Sequence, residues 1–327
     1  MGTKNHLCTT LIISALLGII DLVWLSHSQV RFSPLNWPAI GAVALCVCLA
    51  GMASRLVAWR VRGDNSRMGQ FIRRASDFLG NLTLAAAVFV PLLICSTILM
   101  HLASATDRPL ADPTLASIDA WLGFDWPWFL SVTNNRLTAP VLSVAYHALG
   151  PQVPLVFLLN IARRRTDRLL EFITLLAMSS ILAGGIMAFV PAEGAYAYFK
   201  PTADQFNHFT AQAGMWHYKT LMALRSGERF DLIMANSNGL VTFPSYHTAL
   251  GIMIVYALRD YRWLFWSVGC LNAVMIIGTL PEGGHHLIDV IAGAIVGVAC
   301  ILAVRKIGSY NREKAFTTPA AYPLPEA

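Results

Sequence analysis

The sequence predicts an all-helical integral membrane protein with about eight transmembrane helices. Three observations predict it. Of the 327 residues, 56% are hydrophobic and only 13% charged, where a soluble domain carries about a quarter charged. The mean hydropathy is +0.55. The apolar residues fall in runs close to the roughly 20 that cross a bilayer, with short basic connections between them.

Read in order, the spans are 7–26, 37–58, 79–103, 139–161, 169–191, 244–259, 262–280 and 285–304. The first lacks a small-residue cleavage site and reads as a retained span, not a signal peptide. In the fourth, Tyr146 and His147 lie beside Gly150 and Pro151, where they either mark a kink or line a cavity. The short sixth and seventh are separated only by "RDYR", a helical hairpin. The segment 113–131 is apolar but broken by Asp119, Asp125 and Pro127. Its Trp121, Trp126 and Trp128 suit an interfacial helix, because indole rings favour the head-group level. Residues 1–78 then form an accessory two-span segment with a basic cytoplasmic loop. Residues 79–305 form a six-helix core, and 306–327 a disordered cytoplasmic tail.

The net charge of +6 does not indicate nucleic acid, because the basic residues sit between spans, where orientation signals belong. With eight spans, seventeen of the 24 basic residues fall on one side. That side is expected to be cytoplasmic, with both termini inside, in a bacterial inner membrane. The loops 27–36, 104–138, 192–243 and 281–284 then face the periplasm. The six cysteines lie almost entirely within apolar runs and form no disulfide or metal framework. No cofactor is expected, and the oligomeric state is open. A zinc site from His247, His285 and Asp289 is chemically possible, but no outward cysteine or further ligand cluster accompanies it, so no metal is expected.

Two polar motifs sit where outward loops give way to spans: "FPSYH", 243–247, and "GGHHLIDVIAG", 283–293. Helix N-termini attract anions through unpaired N–H groups and a positive dipole end. Pro244 suits a first helical turn. His285 and Asp289 are four apart, hence on one helical face. A carboxylate that accepts the Nδ1 hydrogen leaves the other imidazole nitrogen free to attack. His247 is suited to protonate a leaving oxygen. His286 points elsewhere and reads as support or packing. Together these groups make a phosphoryl-transfer set. As alternatives, His247 reads as an interfacial histidine and the His285–Asp289 pair as a structural one.

"FPSYH" and "GHHLIDVIAG" resemble the second and third signature motifs of the type 2 phosphatidic acid phosphatase superfamily. The resemblance implies a six-helix core, here the last six spans. It also implies a phosphohistidine at His285, oriented by Asp289, with His247 as general acid and Ser245 with its neighbouring backbone holding phosphate oxygens. Two departures stand out. Thr279 occupies the place of an arginine six residues before the histidine. The first motif is reduced to Lys219 and Arg225 in "KTLMALRSG", with Ser226 where proline belongs. This pattern is closer to the inositol phosphorylceramide synthase and sphingomyelin synthase branch. That branch implies a phosphoryl head group moved from a phospholipid donor to a lipid alcohol.

Arg225 is the first choice for a phosphate clamp, since a guanidinium binds two oxygens at once; Lys219 is next. Glu193, Tyr196 and Tyr198 are weaker candidates for head-group contact, against an aromatic belt. The close alternative is a lipid phosphate phosphatase acting on phosphatidate or a polyprenyl (pyro)phosphate, with water as acceptor. A second is a non-catalytic lipid-binding or transport protein.

Overall fold

The computed structural model describes residues 2–317. The helices are α1 (Gly2–Ser26), α2 (Asn36–Arg60), α3 (Arg67–Ser104), α4 (Asp112–Trp121), α5 (Trp126–Thr133), α6 (Thr138–His147), α7 (Leu149–Ala162), α8 (Thr166–Phe189), α9 (Ala195–Phe199), α10 (Tyr218–Leu224), α11 (Tyr246–Ala257), α12 (Arg262–Gly278) and α13 (Leu287–Thr317). Helix occurs at all eight expected spans, so the chain is an all-α membrane protein. Among the described residues, six helical stretches are long and apolar enough to cross a bilayer, with α6 and α7 counted as one; α11 and α12 are shorter apolar helices. The break between α6 and α7 falls at Ala148, beside the expected kink. The interfacial segment is two helices instead of one. Gly123, at φ 79°, turns the chain, and Asp125 caps α5 by accepting from the Trp128 N–H at 2.9 Å.

The core lies among α1, α3, α7, α8, α11, α12 and α13, built from side chains such as Leu17, Leu92, Val156, Phe172, Met253, Met275 and Val304. The first helix is built into it. Thr10 Oγ1 lies 3.0 Å from Thr174 Oγ1 on α8, and both residues are buried. By contrast α2 presents Leu45, Leu49, Met52 and Leu56 outward, as a lipid-facing helix does. One element departs from all-α: β1 (Val30–Phe32) pairs in parallel with β2 (Phe230–Leu232). Asn36 extends the junction, donating to Leu232 O and accepting from Met234 N, each at 2.9 Å. The first connection is thereby fastened to the long loop before α11.

At the opposite end, basic residues expected only to orient the chain also lock helices together. Glu171 on α8 accepts from Arg259 at 2.6 Å, Tyr256 at 2.8 Å and Arg168 at 2.9 Å. Asp260 accepts from Arg165 and Arg168. The last helix runs to Thr317, past the expected boundary at 305, and 318–327 of the expected tail lie outside the described residues.

Four glycines decide how close the site-bearing elements come. A Cβ on Gly293 of α13 would collide with the carbonyl of Ser245, and one on Gly297 would sit 3.0 Å from Ala249 O. This small-x-x-x-small stripe lets α13 press against the first turns of α11. Gly214 and Gly284, both with positive φ, pack backbone on backbone; a Cβ on Gly284 would stand 2.6 Å from Gly214 Cα.

Candidate active site

The two polar motifs meet at one end of the bundle. α11 begins at Tyr246. Ser245 is its cap, accepting from the Thr248 N–H at 3.4 Å. Pro244 therefore precedes the cap and does not occupy the first turn, a correction to its expected place. The backbone N–H of Ser245 donates to Asp289 O at 2.9 Å, which ties the two motifs directly. His285 and His286 lie in the loop before α13, not on the helix. The contact expected of an i,i+4 helical pair is still made: His285 Nδ1 lies 3.3 Å from Asp289 Oδ2. The loop bends so that the same carboxylate oxygen also takes the His286 N–H at 2.9 Å.

The rings of His247 and His285 are 6.2 Å apart between centroids. The two motifs thus bring their imidazoles to one place. His247 is stacked on Tyr146 at 4.5 Å and 22°, which fixes its plane. The His285 side chain is 3% exposed, so water is largely excluded from it.

The helix-terminus anion site expected at α13 is already occupied from within the protein. Asp119 on α4 accepts the N–H groups of Leu287 and Ile288, each at 2.8 Å. A carboxylate thus sits where the dipole would otherwise attract phosphate. At α11 the cap takes the Thr248 N–H. The N–H groups of Tyr246 and His247 are the donors of that turn with no bond among the described residues.

His286 is fully buried between two carboxylates of α4. Its Nε2 is 3.4 Å from Asp112 Oδ1, and its Nδ1 is 3.6 Å from Asp119 Oδ2. Burial alone would depress its pKa. The hydrogen bond to Asp112 and the nearby Asp119 carboxylate outweigh that and push it up to about 9. Burial works the other way on Asp112. Hydrogen bonds from His286 and from the Glu193 and Gly194 N–H groups, the latter two at 2.8 Å, hold its pKa below the usual carboxylate value. Asp112 thereby anchors the 193–194 turn, and Asp119 anchors the start of α13.

The loop 192–243 folds over this arrangement. Ala195 N donates to Gly284 O at 2.8 Å and Gly214 N to Glu282 O at 2.7 Å. His217 is buried, and its Nε2 lies 2.9 Å from Glu193 O; burial pushes its pKa down to about 4. Burial, then the Asp112 charge, raises Glu193.

The remaining expected residues fall into place unevenly. Tyr196, a weaker candidate for head-group contact, is buried, donates its hydroxyl to Pro281 O at 2.7 Å and packs on Trp126, so it braces the loop. Tyr198 is half-buried and lines a 610 Å³ cavity with Phe199, Trp126 and Asp125. The Arg225 guanidinium donates to Thr106 O and Arg108 O, both at 2.6 Å. Lys219 is exposed on α10. Among the described residues, no hydrogen bond or ion pair joins either to His247, His285 or Asp289. Thr279, in the place of the missing arginine, is buried and returns its hydroxyl to Ile276 O.

Asp112, Asp119, Glu282 and His217 support the site and were not expected from the sequence. The signal available was ionisable residues within apolar surroundings, which need a partner or a role.

The family model described as the PAP2 superfamily matches residues 113–303. No curated protein and no solved structure matches the chain.

Proposed function

The chain belongs to the PAP2 superfamily, and from that premise we propose that it moves a phosphoryl head group from a phospholipid to a lipid alcohol through a phosphohistidine. Members of the superfamily are phosphatases or phosphotransferases. The observation that carries the reading is the His247–His285–Asp289 arrangement: a carboxylate 3.3 Å from one imidazole and a second imidazole 6.2 Å away.

In this reading His285 Nε2 attacks phosphorus while Asp289 accepts the Nδ1 hydrogen, which sets the tautomer and steadies the charge formed on the ring. His247 donates a proton to the departing oxygen. The acceptor oxygen then attacks the phosphohistidine, and the P–N electron pair returns to His285. The N–H groups of Tyr246 and His247 hold a phosphate oxygen, in the manner of an oxyanion site. Ser245 contributes through that turn, since its hydroxyl is engaged as the cap. Arg225 and Lys219 stay in the proposal as mobile cations, with Arg225 exchanging its two carbonyl partners for phosphate oxygens. The site faces the periplasm in the orientation that the basic loops favour.

Transfer is favoured over hydrolysis by the resemblance of the motifs to the inositol phosphorylceramide synthase and sphingomyelin synthase branch. The test is to incubate purified protein with labelled phospholipids, with and without a lipid alcohol, and identify products by mass spectrometry. Head-group transfer that depends on the alcohol supports the reading. Phosphate release unaffected by the alcohol identifies a hydrolase. His285→Ala is expected to remove either activity by on the order of 10³-fold or more, and retained activity would sink the nucleophile assignment.

A further inference from the structure

Resting on the phosphohistidine reading, we propose that His147, held by Glu282, is a second proton-handling residue, which takes the hydroxyl proton of the acceptor as the phosphohistidine breaks down. Glu282 is fully buried, and four donors converge on it. Ser143 Oγ lies at 2.7 Å, His147 Nε2 at 3.0 Å, Thr210 Oγ1 at 2.5 Å and Thr210 N at 3.3 Å. A buried carboxylate is costly unless fully hydrogen-bonded. Among the described residues neither lysine nor arginine pairs with it, and the ionisable side chain that hydrogen-bonds to it is an imidazole. With Nε2–H donated to Glu282, Nδ1 carries the lone pair and can accept a proton. The His285–Asp289 pair uses the same logic with the nitrogens exchanged.

His147 and His247 line one cavity of 260 Å³, whose other walls include Tyr146, Leu149, Tyr246 and Leu250. Such a lining, leucines and tyrosine rings with two imidazoles, suits an alcohol with a hydrocarbon body. The rings are held in series. Tyr146 lies 5.2 Å from His147 and 4.5 Å from His247, and His247 lies 6.2 Å from His285. Nearly half of the His147 side chain is exposed, at 48%, while its carboxylate is fully enclosed. It is therefore fixed at one edge and open at the other.

The step balances as follows. The acceptor oxygen forms a bond to phosphorus, the P–N bond breaks, and its electron pair returns to His285 Nε2. The hydroxyl proton moves to His147 Nδ1, and the Nε2 hydrogen stays on His147, still donated to Glu282. The imidazolium then releases its proton through its exposed edge. His247 serves the leaving group and His147 serves the acceptor.

The experiment compares formation and breakdown of the phosphoenzyme in full-length protein, using a phospholipid labelled at phosphorus and an alkaline quench that preserves phosphohistidine. His147→Gln and His147→Asn are expected to form labelled protein within about threefold of the wild-type rate. Breakdown is expected to slow by about 10²- to 10⁴-fold, the usual worth of a general base, so label accumulates. Free imidazole is expected to restore part of the breakdown rate. A structural role would slow both steps together and would not respond to imidazole. Equal slowing of both steps, or unchanged breakdown, overturns the assignment. Absence of label from wild-type protein overturns the phosphohistidine reading itself and this inference with it. A variant that fails to fold shows neither step, and the other variant decides.

Discussion

The imidazole of His286 lies 3.4 Å from the carboxylate of Asp112, although 174 residues separate them in the chain. Asp119 approaches the other ring nitrogen, so a charged histidine is held inside the protein by two carboxylates from one short helix. Asp112→Asn leaves the imidazolium with a weaker set of partners and loosens the 193–194 turn. Breaking a buried ionic pair typically costs about 3–5 kcal/mol. A fall in thermal stability in detergent of that order is expected, and an unchanged midpoint would contradict it.

The same cluster sets a pH window. The folded pKa of His286 is raised to about 9 from an ordinary value near 6.5. Its contribution to stability is fully present below about 6.5 and is lost as pH rises through about 9. His217 acts in the opposite sense. Its folded pKa is lowered to about 4, so stability falls as pH drops from about 6.5 towards 4. Maximum stability is therefore expected near neutral pH. Thermal midpoints measured from pH 4 to 10 check this, and His217→Gln is expected to flatten only the acid side.

Asp289→Asn keeps the shape of the carboxylate and removes its charge. It no longer enforces the tautomer that leaves Nε2 of His285 free. A loss in kcat on the order of 10²- to 10⁴-fold is expected, with substrate binding less affected. Steady-state kinetics on the labelled lipid check the split.

Gly293→Val tests the packing that brings the two histidines together. The added side chain meets the Ser245 carbonyl and drives α11 from α13. Reacting groups displaced by about 1 Å lose on the order of 10²-fold in rate. Activity is expected to fall by that factor or more in protein that still purifies as a folded species. Gly308→Val, on the same helix but remote from Ser245, is the comparison.

Gly214→Ala and Gly284→Ala test the cover over the site. Each places a side chain at positive φ into the opposing backbone. A cost of about 1–3 kcal/mol and faster proteolytic cleavage within 200–217 are expected. Unchanged cleavage would show that the loop does not depend on this contact.

Much of the fold was legible in the sequence because hydrophobic run length is a local property. The eight helical positions and the "RDYR" hairpin follow from runs and breakers in the chain, and a kink beside Gly150 was one of two readings there. Less legible were the two helices in 113–131, where Gly123 turns a segment that reads as one apolar run. The short pairing of Val30–Phe32 with Phe230–Leu232 was hidden for another reason. Its partners lie two hundred residues apart, and neither segment has a strand's length.

At the site, the sequence by itself determined which groups were chemically equipped: two histidines and a carboxylate at the beginnings of spans, with a family resemblance attached to the motifs. Only the tertiary structure decided which donors remained available to a ligand. It placed Asp119 on the first N–H groups of α13, turned Arg225 onto the carbonyls of Thr106 and Arg108, and enclosed Glu282 beside His147. The physical reason is that a hydrogen-bonding group's identity is local, whereas its occupancy depends on whatever packing brings within about 3 Å.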